Sequence, residues 1–130
     1  MSALNDPCPF CDLSVRMILD ESVHAIAIRD AFPVSLGHTL VLSRRHVQDL
    51  FKLSECEFAD AFFLARRMKN VLLTEFSPTG FNIGINVGRD AGQTVMHAHI
   101  HIIPRYEADI ENATGGVRNV IPGKGPYNLD

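Results

Sequence analysis

The stretch Met96-His-Ala-His-Ile-His-Ile-Ile-Pro-Arg105 fixes a strand more firmly than any other part of the chain. Histidines at 97, 99 and 101 alternate with Ala98, Ile100 and Ile102, and a period of two is the mark of a strand with one polar and one apolar face. His97, His99 and His101 therefore share a face, with same-face neighbours about 7 Å apart. That spacing is too wide for three rings on a straight strand to chelate one ion. It suits a row of groups meeting successive parts of a polyanionic ligand. The apolar face would hold the row rigidly against a core, and three imidazoles on one face are costly to bury without a polar task.

The rest of the chain supplies elements for this strand to pack with. Residues 23–29 (Val-His-Ala-Ile-Ala-Ile-Arg) read as a strand, and the breakers of Asp30–Gly37 separate it from a second, His38–Ser43, which suggests an antiparallel neighbour. Ser54-Glu-Cys-Glu57 matches a capping box that starts a helix. Phe58, Phe62, Ala65, Met68, Leu72 and Phe76 form its apolar stripe, and Pro78-Thr79-Gly80 stops it. Phe81–Gly88 alternates as a strand, and Arg89–Thr94 is a polar loop that leads into the histidines. Strands, one helix and more strands predict an α+β domain with a mainly antiparallel sheet. After Arg105 the chain is punctuated by Gly115-Gly116 and by Ile121-Pro-Gly-Lys-Gly-Pro126, and is read as an irregular tail.

At 130 residues one domain is expected: residues 1–106 as its body and 107–130 as its tail. No apolar run approaches the roughly 18 residues of a membrane helix, and the start of the chain lacks the pattern of a secretory signal, so the cytoplasm is the expected compartment. The net charge of −3 with scattered Lys and Arg gives no basic stripe for nucleic acid. Small phosphorylated ligands stay open, because a cleft can be locally electropositive in an acidic molecule.

Three cysteines are present, two of them as Cys8-Pro-Phe-Cys11. As a redox pair this motif would follow a first strand and open a helix, and only seven residues precede Cys8. As a metal pair it needs two further ligands. His46 and His97 can supply them and complete a tetrahedral Cys2His2 zinc site, structural because four protein ligands leave no position for substrate. Cys56 and His24 have no visible partner and are read as carrying no chemistry.

His97-Ala-His99-Ile-His101-Ile-Ile103 resembles the signature of the histidine triad family of nucleotide hydrolases and transferases. Gly92-Gln-Thr-Val95 is similar to the family's phosphate-side loop, and Gly37-His-Thr-Leu-Val41 to its earlier histidine-bearing strand. Pro104-Arg105 resembles the dinucleoside polyphosphate hydrolase branch. The likeness covers residues 8–106, although Ser43 stands where many members have proline. It implies a mainly antiparallel five-stranded sheet, one long amphipathic helix and a short N-terminal helix or turn. It implies His99 as the nucleophile at the α-phosphorus, and His101 as donor to phosphate oxygens or leaving group. His38 would orient the row and Gln93 hold the α-phosphate. Asp30 would grip the ribose hydroxyls, with Asn86 and Thr94 contacting ribose or phosphate. It further implies zinc on Cys8, Cys11, His46 and His97, a homodimer, and a purine nucleotide or dinucleoside polyphosphate substrate of the diadenosine tetraphosphate type. A nucleoside phosphoramidase, a nucleotidylyltransferase or a zinc-stabilised nucleotide-binding regulator without turnover would carry the same motifs.

Overall fold

The computed structural model describes residues 7–127; residues 1–6, part of the segment read above for a targeting signal, and 128–130 lie outside the described residues. The order is β1 (Ile18–Glu21), β2 (Ala25–Arg29), β3 (Thr39–Ser43), α1 (Glu55–Phe76), β4 (Gly80–Gly84) and β5 (His99–Arg105), with short 3-10 turns at Leu50–Lys52, Arg89–Ala91 and Gly116–Val120. The five strands form one sheet in the order β1-β2-β3-β5-β4, every neighbouring pair antiparallel. The α+β architecture is the expected one. Residues 8–11 form a turn, closed by the Cys11 amide donating to the Cys8 carbonyl at 3.2 Å.

β3 is buried along its whole length because it lies mid-sheet. It pairs with β2 from Ala25↔Ser43 to Arg29↔Thr39, and with β5 from Thr39↔Ile102 to Leu42↔His99. Gly37, at φ 89°, turns the chain into β3, and a Cβ there would stand 2.9 Å from the Phe76 ring. Only glycine fits that conformation and that close approach to the end of the helix.

The helix starts where the capping box places it. The Glu57 amide donates to Ser54 Oγ at 3.2 Å and the Ser54 amide to Glu57 Oε1 at 3.0 Å. The Glu57 carboxyl is held down at about 2, first by the hydrogen bond from Arg45 and next by the Ser54 amide. Ser54→Ala should cost about 1 kcal/mol, read as a fall of a few degrees in melting temperature; an unchanged transition would show that the cap does not hold the helix. Ser77 ends the helix in the left-handed region at φ 53°, just before Pro78.

Three expectations shift. β1 is a strand that residue-level reading did not place: its Ile-Leu-Asp-Glu run has mixed burial and no alternation. Phe62, expected inside, is 38% exposed, while Ala61 and Leu64 are buried with Ala65, Met68 and Leu72. Phe51, Phe58 and Phe62 instead stack along the helix flank, with centroids 5.7 and 4.9 Å apart. β4 stops at Gly84, short of Gly88, and β5 begins at His99, after bends at 95–97. His97 therefore precedes the strand and leaves the imidazole row. The tail lies over the domain, its 3-10 turn against β4. Among the described residues no helix is long and apolar enough to cross a membrane.

Candidate active site and metal centre

α1 covers one face of the sheet through Ala25, Ala27, Val41, Ile100 and Ile102. Alternation therefore turns His99 and His101 of β5 to the opposite face, where they line a cleft of about 420 Å3 with Asp30, Phe32, Asn86 and Thr94. The ring centroids of His99 and His101 are 5.0 Å apart.

Backbone groups dictate the tautomers. His99 Nδ1 lies 2.7 Å from the His97 carbonyl oxygen. A carbonyl only accepts, so Nδ1 carries the proton and Nε2 keeps its lone pair. The Val34 amide donates to His38 Nδ1 at 3.1 Å. His38 Nε2 must then be the protonated nitrogen, and it donates to His101 Nδ1 at 2.9 Å. That leaves the proton of His101 on Nε2. One ring thus presents a lone pair and its neighbour an N–H. Asp30 lies beside this relay, its Oδ2 3.4 Å from His38 Nε2, while its Oδ1 accepts the Phe32 amide.

Burial lowers the pKa of His38, His97 and His99, opposed at His38 by the Asp30 carboxylate, at His99 by the His97 carbonyl and then by Asp30, and at His97 by the Ser43 carbonyl. His101 is pushed down to about 4, by burial first and then by His99 and His38. The row is neutral at pH 7, as a nucleophile requires. An unfolded chain takes up the His101 proton near pH 6.5 and the folded one only near pH 4, so the stability contributed by the neutral ring is lost as pH falls through that window. His101→Asn should flatten the slope of stability against pH between these values at constant free zinc. Equal slopes in urea unfolding would show that the ring titrates normally in the fold.

The first histidine does something else. His97 Nε2 donates to the Ser43 carbonyl at 2.6 Å, which leaves the Nδ1 lone pair for a ligand. That Nδ1 is 3.4 Å from Cys8 Sγ, 3.5 Å from Cys11 Sγ and 3.1 Å from His46 Nδ1, and Cys11 Sγ is 3.2 Å from His46 Nδ1. All four ligand atoms lie within 4.8 Å of one another. A tetrahedron built on zinc bond lengths has edges of about 3.3 to 3.8 Å, so the donor set and its spacing fit a divalent ion of zinc's size. Desolvation and the neighbouring Cys8 push the Cys11 thiol up, and a cation bound between the two sulfurs would favour the thiolate form. The four side chains come from the N-terminal turn, the loop after β3 and the entry to β5, so an ion held by them would tie these three segments together.

Gln93 is placed differently from its expected role. Its amide nitrogen donates to the carbonyls of Gln48 and Val95 at 2.9 and 3.2 Å, and its oxygen accepts the Gly88 amide at 2.9 Å. Buried and fully engaged, it shapes the loop that rims the cleft. Asp30, Asn86, Thr94 and His38 all border the cleft. Phe10 and Phe32 were not singled out by sequence reading. Phe10 lies edge-on to His97 and His99, at 6.0 and 5.1 Å. Phe32 borders the cleft although 86% exposed, and such an aromatic rim offers a face for a base to stack on. The signal for Phe10 was its place between the two cysteines; Phe32 had none.

The family model described as the HIT domain matches residues 16–108. An uncharacterised HIT-like protein of Mycoplasma genitalium is 40% identical over 104 residues, 77% of this chain and 74% of that protein. The asymmetrical bis(5′-nucleosyl)-tetraphosphatase of Schizosaccharomyces pombe is 47% identical over 77 residues, 59% of this chain and 42% of the enzyme. A zinc-bound histidine triad family protein from Mycobacterium smegmatis superposes with a TM-score of 0.72 at 31% identity, covering 78% of this chain and 77% of that one.

Proposed function

The chain belongs to the HIT family of nucleotide hydrolases and transferases, and from that premise we propose that it cleaves dinucleoside polyphosphates, diadenosine tetraphosphate being the type, at the α-phosphorus through a nucleotidyl-His99. The observation that carries this reading is the tautomer relay: His99 offers the Nε2 lone pair while His101 offers an Nε2–H. The lone pair attacks the α-phosphorus and the bond to the bridging oxygen breaks. His101 gives that oxygen its proton or hydrogen-bonds its negative charge. Water then attacks the same phosphorus, the P–N bond breaks, and the mononucleotide leaves. Asp30 accepts from the ribose hydroxyls, His38 positions His101, and Asn86 and Thr94 meet ribose or phosphate.

Cys8, Cys11, His46 and His97 would hold zinc, which when bound stiffens the backbone that carries His99 without meeting substrate. The similarity to the Schizosaccharomyces pombe tetraphosphatase supports the substrate class, and the zinc-bound Mycobacterium smegmatis protein supports the metal. The body of the domain spans 1–106 and the tail 107–130, and we place the protein in the cytoplasm, where the thiols stay reduced. A homodimer is supported by the unpaired edge of β4 and by the exposed Phe62, Phe63 and Ile83. Light scattering should give twice 14.4 kDa; a monomer at micromolar concentration would remove the dimer.

The test is turnover of diadenosine tetraphosphate in 18O-labelled water. The label should enter AMP, because water attacks the adenylyl phosphorus; label in ATP would mean cleavage elsewhere. A panel that adds nucleoside phosphoramidates and nucleotide sugars separates the phosphoramidase and transferase alternatives, which use the same residues. Binding without turnover on every member would make the protein a regulator.

A further inference from the structure

The nucleotide cleft does not end at the imidazoles. A second cavity of about 500 Å3 adjoins it and shares Val34, His38, Asn86 and His101 with it. β5 explains the continuity. His99, His101 and Ile103 follow one another on the same face of the strand, about 7 Å apart, so a substrate that passes His101 arrives over Ile103. The outer wall is the tail: the 3-10 turn Gly116–Val120 brings Val117 and Val120 opposite Ile103 and Asn82.

The tail is built to stay there. Arg118 donates to the carbonyls of Gly125 and Lys124 at 3.3 and 2.9 Å, and its guanidinium lies 4.9 Å over the Tyr127 ring. A Cβ on Gly115, at φ 87°, would come 2.2 Å from the Gly125 carbonyl oxygen. Arg118 is thereby committed to its own loop.

Electrostatics selects the occupant. Arg105, which bonds Asn82 at the border of the cavity, is saturated: it makes paired bonds of 2.8 Å to the Asp109 carboxylate and one of 2.7 Å to Asn82 Oδ1. Among the described residues no uncompensated cationic side chain lines the second cavity, so beyond the shared His101 it offers no charge to a phosphate chain. Its valine and isoleucine walls suit a flat, uncharged group, and Asn82, Asn86 and Asn119 border it with amides for the polar edge of such a group.

From this two-chambered cleft we infer that the second cavity seats the nucleoside of the leaving half, so that the enzyme recognises both ends of a dinucleoside polyphosphate. The inference rests on the proposed function and deepens it. The bridge runs past His101, the first nucleoside stays between Asp30 and Phe32, and the second lies over Ile103 under the tail.

The experiment compares diadenosine tetraphosphate with adenosine 5′-tetraphosphate, which has the same phosphates and no second nucleoside. Wild-type kcat/KM should favour the dinucleotide about tenfold or more, a step of 1.4 kcal/mol in transition-state binding. Val117 and Val120 are 63% and 76% exposed, so V117D/V120D should fold, and it should bring the ratio close to one. A wild-type ratio near one, or a ratio the double variant leaves intact, overturns the inference. Binding of fluorescent etheno-adenosine to AMP-saturated protein is the independent readout. If no substrate turns over but this binding persists and is lost in V117D/V120D, the hydrolase reading falls and the second cavity stands; if wild type shows no such binding, the cavity falls too.

Discussion

His99→Asn should lower turnover of diadenosine tetraphosphate by about 10^4-fold or more, the scale of losing a covalent nucleophile, while AMP still binds within a few-fold of wild type. The ring is held from three directions. The His97 carbonyl holds Nδ1 at 2.7 Å, Phe10 lies against one side and His101 on the other. Its environment, by lowering the pKa, keeps the ring neutral, and the hydrogen bond chooses which nitrogen attacks. Asparagine keeps a polar group but has no lone-pair nitrogen to form the P–N bond, so covalent adenylyl-protein, acid-labile in wild type, should disappear. His38→Asn should cost less, because His38 acts through His101 and removal of its Nε2–H frees a tautomer without removing a reacting atom. A His99→Asn enzyme that keeps a tenth of wild-type turnover would take the nucleophile role from this residue. So would an equal loss in binding and in kcat, since a group that reacts need not contribute to ground-state affinity.

Much of this site was legible because it obeys short-range rules. The two-residue period put His99 and His101 on one face, and the capping box fixed the start of α1 to the residue. What the sequence concealed was decided by contacts far along the chain. His97 was grouped with Cys8 and Cys11, 89 and 86 residues away, but the two-residue period also kept it in the imidazole row, and only the fold shows the ring leaving that row before β5 begins. Gln93 sits where a phosphate ligand was expected, but the Gln48 carbonyl, 45 residues off in the chain, claims its amide. Phe62 fits a helical spacing equally well as core or as flank, and only the tilt of α1 on the sheet decides. β1 carries two acidic residues in four and lies at a sheet edge with little to bury, so no hydrophobic pattern marks it.

Zinc removal should have the second large effect. Chelation of the purified protein, or Cys11→Ser, should lower the melting temperature by roughly 15 °C, which corresponds to about 4 kcal/mol of metal-linked stability at a free metal concentration near a thousand times Kd. The sheet and α1 have a core of their own, so the apo-domain stays folded at room temperature, unlike a zinc finger. The loss concentrates in the three segments that the centre joins: the turn at Cys8–Cys11, the loop at His46, and the entry to β5 at His97. Chelator and Cys11→Ser act on one interaction, so their effects should not add, and a chelator should leave Cys11→Ser unmoved. Because the His97 carbonyl sets the tautomer of His99, kcat should fall further than KM rises in the apo-protein. Zinc absent from protein purified without chelator, a disulfide between Cys8 and Cys11, or a chelator that destabilises Cys11→Ser as much as wild type would each remove the metal centre. The four side chains would then be a hydrogen-bonded cluster, and the placement of His99 would rest on β5 and Phe10 alone.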